Sequence, residues 1–399
     1  MRRGSGRPVR GGVARARHAR SLARPRLAVR TTGVVAATVA ALLALCVTSP
    51  VAGAATAGAA APGTAADAPA LPAAAPVWPP PTAGILALRA AYPAPGRLVR
   101  LPGGRHLHVT SIGSGRPTVV MEAGSGDWSL TWCLVAPAVA GGSARIAGTR
   151  VVTYDRAGMG WSDPTGRRPA AAGYVRDLRS GLRAAGIRPP YVLVGHSMGG
   201  VYMRLFAHTY PTEVAGLVLV DPGDERLPAA VGAKSREAIA AGTAASAALL
   251  AQKADVAATG EFVTATSTLP TDPRWPATTT AQYHALFAAD PWVFRTIGLE
   301  AAAGFAIWRE VARHHITSLG RIPLTVVRSS RQMGLSGVPA LATHENRVWR
   351  RLQAAQSRES TRGRLVVAPH SDHYVQLADP RLVTAKILRV VAKARSLAR

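Results

Sequence analysis

Cysteine is nearly absent from the 399 residues: Cys46 sits in an N-terminal apolar run and Cys133 stands alone in the rest of the chain. This excludes a disulfide framework and a cysteine-built metal site. Cys133, in TWCLVAPAVA, reads as a small apolar residue buried on a helix. Acids are also scarce, 21 Asp and Glu against 48 Lys and Arg, giving a formal charge of +27. That excess does not read as a nucleic-acid surface. Ten arginines and no acid fall in the first 30 residues, and the remaining positive charge is dispersed. No basic stripe is interleaved with aromatics, so no nucleic-acid partner is expected. Lysine is rare, and a compositional preference for Arg accounts for the excess as well as attraction to an anionic envelope does.

Long apolar runs are lacking too. Residues 33–47 are Ala-, Leu- and Val-rich, but this is shorter than the ~20 residues that span a bilayer comfortably. A basic start, a short apolar core and the Val51-Ala52-Gly53-Ala54-Ala55 stretch together read as a secretory signal over residues 1–54. An uncleaved anchor on the outer face of the membrane is the alternative, so the protein is expected to be secreted or tethered to the envelope. Residues 55–96 are read as a disordered linker, because residues 55–81 are almost all Ala, Pro, Gly and Thr. Such a composition buries too little apolar surface to offset its ordering entropy.

From Arg97 onward the pattern alternates between strands and helices. Short strands are expected at residues 97–101 and 106–112, and buried strands at 118–121, 149–154, 191–194, 215–220, 322–328 and 365–368. Val175, Leu178, Leu182 and Ala185 recur at helical spacing. Asp379 caps a closing helix with Pro380 at its first position. Residues 223–320 are Ala-rich and helical, and interrupt the strand pattern. Strands alternating with helices predict an α/β fold with a mostly parallel sheet flanked by helices.

The chemistry centres on YVLVGHSMGG at residues 191–200. An unbroken apolar run reads as a strand buried on both faces. Gly195, Ser197 and Gly199 form Gly-x-Ser-x-Gly, and a helical pattern follows. Strand, sharp turn and helix in that order are the context of a nucleophile elbow, which puts the Ser at a helix N-terminus where developing negative charge is favoured. A Ser hydroxyl needs an adjacent base, commonly an imidazole. A carboxylate should orient that imidazole. The GSG at residues 124–126 is no phosphate cradle, because no Gly-Lys-Ser/Thr follows, and His314-His315 lacks a third ligand at metal spacing. No cofactor and no metal is expected.

GHSMGG resembles the elbow of the α/β-hydrolase superfamily, in the branch of serine esterases, lipases, haloperoxidases and small aminopeptidases. EAGSGDWS from Glu122, YDRAGMGWSD from Tyr154, LVLVDP from Leu217 and SDHYVQLADP from Ser371 follow the family's order. The resemblance covers residues 97–394. It implies the α/β-hydrolase fold, with a core at 97–222 and 321–399 and a helical cap at 223–320 inserted after the sixth strand. It further implies Ser197 as nucleophile, a base from the loop after the last strand, where His373 is favoured and His370 competes, and an oxyanion hole from the N–H groups of Met198 and Ser125. The usual acid position, after residues 322–328, is vacant of acids until Glu345. Some members carry the acid one strand earlier, where Asp221 ends LVLVDP. Asp221 is therefore favoured, with Glu345 and then Asp224 as alternatives. Asp155 and Arg156 belong to a stretch that is mainly structural in the family, with the Arg packing near the site entrance. The implied activity is hydrolysis of a small-molecule ester through an acyl-enzyme. Amide or peptide hydrolysis, a perhydrolase side activity, and a non-catalytic ligand-binding protein on the same fold are the alternatives.

Overall fold

The computed structural model describes residues 83–259, 274–331 and 334–398. The expected signal segment lies outside the described residues, as does most of the expected linker. Helix α1 (Ala83–Ala91) precedes strands β1 (Arg97–Arg100), β2 (His106–Ile112) and β3 (Thr118–Glu122). Then come α2 (Ala136–Gly141), β4 (Val151–Tyr154), α3 (Ala171–Ala184), β5 (Tyr191–His196), α4 (Met198–Thr209) and β6 (Val214–Val220). Among the described residues, four helices follow before the next strand: α5 (Leu227–Ala230), α6 (Gly232–Ala258), α7 (Ala277–Ala289) and α8 (Pro291–Ala312). The chain closes with β7 (Leu324–Ser329), α9 (Pro339–Gln356), β8 (Gly363–Ala368), α10 (Val375–Ala378) and α11 (Pro380–Leu397).

The eight strands form one sheet in the order β1-β2-β4-β3-β5-β6-β7-β8. Only the β1/β2 and β2/β4 pairings are antiparallel; the rest are parallel. β5 lies between β3 and β6, so the loops after all three strands meet at one end of the sheet. Its side chains alternate between the two faces. Tyr191 and Leu193 join a core with Leu178 of α3 and Phe206 of α4, while Val192 and Val194 join one with Val139 of α2 and Ile387 of α11. Both faces are covered, which is why the strand reads as a continuous apolar run.

A third apolar cluster lies away from the sheet. It joins Trp128, Met159 and Trp161 to Tyr283, Phe287 and Phe294 of the inserted helices, and to Tyr374. Trp128 stacks on Tyr283 with ring centres 4.7 Å apart. Polar ties bind the same helices to the core. The Glu310 carboxylate on α8 accepts from the Ala171 and Ala172 amides at 2.9 and 3.0 Å, occupying donors that open the N-terminus of α3.

The segment at Ala83–Ala91 departs from the linker expectation. Its Ala-rich sequence favours helix, and Ile85 is buried. Arg89 pairs with Asp290 at 2.7 Å, and its guanidinium lies over the Trp292 ring at 4.7 Å. The Trp161 indole donates to the Tyr92 carbonyl at 2.9 Å. Ordering here comes from contacts with α8 and its cap, which composition does not record. Among the described residues no helix is long and apolar enough to cross a membrane.

Candidate active site

β5 ends at His196, and Ser197 follows with φ 52° and ψ −121°. This positive φ is strained for a residue with a Cβ. Three backbone bonds hold it. The Ser197 amide donates to the Val220 carbonyl at 3.1 Å, and the Ser197 carbonyl accepts from Gly200 and Gly223 at 3.0 and 2.9 Å. The turn is too tight for side chains on either flank. A Cβ on Gly195 would sit 2.4 Å from the Gly199 oxygen, and one on Gly199 would sit 2.5 Å from the Ala123 oxygen. Ser197 is half-buried at the N-terminus of α4.

β6 brings Asp221 to the same end of the sheet. Asp221 also has a positive φ, 40°, and its amide donates to the Val327 carbonyl at 2.7 Å. Its carboxylate is fully committed. Oδ2 lies 2.8 Å from His373 Nδ1, while Oδ1 accepts from the Ser329 amide at 3.0 Å and from Gln353 at 2.9 Å. Burial by itself would raise its pKa. The hydrogen bond and charge of His373 and the donors on Oδ1 outweigh that and hold it below the usual carboxylate value. The buried His373 lies in the loop between β8 and α10. That loop is anchored where the Ser371 carbonyl accepts from the Ser330 and Arg331 amides.

The other acids are engaged elsewhere. Glu345 lies inside α9, six residues past its first residue Pro339. Its Oε2 turns back to accept from the Leu335 and Ser336 amides at 2.8 and 3.0 Å. Asp224 pairs with Arg226 at 2.5 Å. The competing histidine, His370, is exposed at φ 61°. Among these candidates, the structure brings Asp221 and His373 together.

The loop after β3 passes in front of Ser197. A Cβ on Gly124 would lie 3.3 Å from Ser197 Cβ, so the backbone runs close to the serine only because no side chain intervenes. Ser125 is the next residue, and its hydroxyl donates to Glu300 of α8 at 3.2 Å. Met198 opens α4, and its sulfur accepts from the Trp308 indole at 3.1 Å.

Sequence reading missed what holds this loop. Arg156 is fully buried behind it. The guanidinium contacts Glu122 at 2.6 Å and Glu300 at 2.9 and 3.0 Å, and donates to the carbonyls of Ala123 and Gly124 at 3.0 and 2.7 Å. The Tyr154 hydroxyl donates to Glu122, and the Gly126 amide to Glu300 at 3.1 Å. Arg156 therefore builds the back of the loop rather than packing at the entrance. Burial pushes Glu122 up to about 7, and Arg156 only partly offsets it because Glu300 shares the same cation. No spacing in the sequence links Glu122 to Glu300.

Asp127 was likewise unforeseen. It is 5 % exposed, and its Oδ2 has no hydrogen-bond partner among the described residues. Burial pushes it up to about 6, against the pull of the Tyr374 hydroxyl, Arg156 and His373. Its folded-state pKa thus exceeds its unfolded value. From about pH 4 to pH 6 the folded protein keeps a proton that the unfolded chain has lost, so stability falls as pH rises through that window. Asp127→Asn removes this penalty. In urea unfolding the variant should match the parent near pH 4 and exceed it by about 2–3 kcal/mol at pH 7. An advantage that does not change with pH would contradict the assignment.

Comparison with known proteins agrees with this architecture. A family model described as the alpha/beta hydrolase fold matches residues 117–380. The chain belongs to the α/β-hydrolase family. An AB hydrolase superfamily protein from Gibberella zeae is 24 % identical over 309 residues, spanning 70 % of this chain and 88 % of that one. Protein YqjL of Bacillus subtilis is 39 % identical over 110 residues, covering 28 % of this chain. The chain spans only 41 % of YqjL's own length. Among solved structures, a putative acyltransferase from Salmonella enterica superposes with a TM-score of 0.53 at 18 % identity. That match covers 75 % of this chain and 95 % of the other. At that identity it speaks for the α/β-hydrolase fold alone.

Proposed function

We propose that this α/β-hydrolase is a serine hydrolase that cleaves a small-molecule carboxylic ester through an acyl-enzyme. The observation that carries the reading is the 2.8 Å contact between His373 Nδ1 and Asp221 Oδ2, at the sheet end where Ser197 is held at positive φ. A carboxylate on Nδ1 fixes that nitrogen as the proton-bearing one and leaves Nε2 free to act as a base. In the proposed cycle His373 Nε2 accepts the Ser197 hydroxyl proton as Oγ attacks the ester carbonyl. The Met198 and Ser125 amides stabilise the resulting oxyanion; neither amide has a backbone acceptor among the described residues. Collapse expels the alcohol, which takes the proton from His373. Water, activated by the same imidazole, then releases the acid and restores Ser197.

Fluorophosphonate labelling followed by peptide mapping tests this. The parent protein should be labelled at Ser197 and should turn over short p-nitrophenyl esters, while Ser197→Ala should lose both. Loss of about a million-fold in kcat is the scale for removing such a nucleophile. A folded protein that takes no label would favour a ligand-binding role instead. Residues 1–54 are proposed as the export signal, and N-terminal sequencing of secreted material would locate the cut.

A further inference from the structure

The residue immediately before the proposed nucleophile is unusually committed. His196 ends β5 and is 1 % exposed. Its Nε2 lies 2.9 Å from the backbone carbonyl oxygen of His373. A carbonyl oxygen only accepts, so His196 carries its proton on Nε2 and donates it there. Nδ1 is then a bare acceptor, with no hydrogen-bond partner among the described residues. It faces the loop after β3, where a Cβ on Gly124 would sit 2.9 Å away. The ring stands 4.7 Å from the His373 ring and 5.0 Å from that of Tyr374. Burial, with the neighbouring His373, pushes its pKa down to about 3. It therefore stays neutral at neutral pH.

For filling space alone an imidazole is a poor choice. An apolar ring of the same shape would avoid the bare Nδ1 acceptor but would leave the His373 carbonyl without its donor. What the imidazole adds is the Nε2 donor. Asp221 holds the His373 side chain through Nδ1, and Ser371 ties the loop to the end of β7. Neither fixes that loop to the strand that carries Ser197. The His196 bond does.

We propose that His196 is a positioning residue: by donating its Nε2 proton to the His373 carbonyl while packing on Gly124, it sets the spacing between the base and the serine that follows it in the chain. This rests on the serine-hydrolase reading above. Acting through His373, it should affect the acylation rate rather than substrate binding.

The test uses the full chain with His196→Phe, which keeps a ring and removes the donor, and His196→Gln, whose amide reaches a similar position. His196→Phe should lower kcat on a p-nitrophenyl ester by about 10–100-fold, the scale of a small misplacement of a reacting group. KM should stay within about twofold, and the unfolding midpoint should fall by no more than the loss of one hydrogen bond explains, because the His373 carbonyl loses its donor while the bare Nδ1 acceptor also disappears. His196→Gln should recover most of the rate. Unaltered turnover in the Phe variant, or Phe and Gln variants that are equally slow and equally destabilised, would overturn the proposal. If the parent protein neither turns over nor takes the fluorophosphonate label, the hydrolase reading fails separately. Imidazole 15N shifts then decide on the bond: a neutral, Nε2-protonated His196 down to about pH 5 supports it, and an Nδ1-protonated or charged ring refutes it.

Discussion

Asp221→Asn should lower kcat on a p-nitrophenyl ester by about 10,000-fold, with KM little changed. The expectation follows from the direction of one proton. The carboxylate accepts from His373 Nδ1 at 2.8 Å. An asparagine placed there has Oδ1 facing the Ser329 amide, 3.0 Å from the present oxygen, and must then turn its NH2 toward Nδ1. Two donors cannot share that line, so His373 shifts its proton to Nε2. On the proposed mechanism that nitrogen must accept the Ser197 proton, and it no longer can. The fold should persist, since the substitution keeps the size of the side chain. Glu345→Gln is the matched control. The glutamine oxygen can still accept from the Leu335 and Ser336 amides, which lie 2.8 and 3.0 Å from the native carboxylate, and the rate should stay within about threefold. A dead Glu345→Gln beside an active Asp221→Asn would transfer the acid's role to Glu345. Acid should remove the stability that the ionised Asp221 contributes. Because the folded-state pKa of Asp221 is lowered, its contribution is present above the ordinary carboxylate pKa and is lost as pH falls below it.

The elbow was legible because everything that defines it is local. Strand, glycines, serine and helix follow one another within residues 191–209, and each has a backbone reason to be where it is. Asp221 was harder. Its partner His373 lies 152 residues away, and a contact of that range leaves no period in the sequence. Three carboxylates therefore remained open until the sheet order placed β6 beside β5. Glu122 and Glu300 left less trace still. Their meeting depends on how α8 crosses the loop after β3, and nothing in an Ala-rich helix announces it. The start of the folded region failed for a related reason. Composition classed residues 83–91 with the Ala/Pro stretch before them, whereas Arg89 reaches Asp290, 201 residues on. The strand boundaries moved only slightly: the last strand runs from Gly363 rather than Leu365.

Arg156→Met should cost about 3–5 kcal/mol, because it strips the cation from two buried carboxylates at once. Arg156, Glu122 and Glu300 have side chains only 1 % exposed, so water cannot replace the lost charge. The loss should depend on pH in a defined direction. Glu122 already holds its proton more tightly in the folded state than in the unfolded chain, and without Arg156 it holds it more tightly still. Stability then falls as pH rises above the ordinary glutamate value, and the deficit should be smaller at pH 5 than at pH 8 in urea unfolding. A small, pH-independent loss would mean that Glu122 does not depend on the Arg156 cation. Activity should fall beyond what stability explains. The guanidinium donates to the carbonyls of Ala123 and Gly124, and this backbone leads directly into Ser125, whose amide the proposed mechanism uses to hold the oxyanion. Loss of one such amide from its place is worth about 100–1,000-fold in kcat. Glu300→Gln separates the two effects. It leaves Arg156 on Glu122 and the loop carbonyls while weakening the tie from α8 to the Ser125 hydroxyl and the Gly126 amide. It should therefore lose less rate than Arg156→Met. The inserted helices would then bear on the chemistry through the Glu300 carboxylate, which grips the loop that the proposed oxyanion depends on, as well as through the Trp308 contact with Met198.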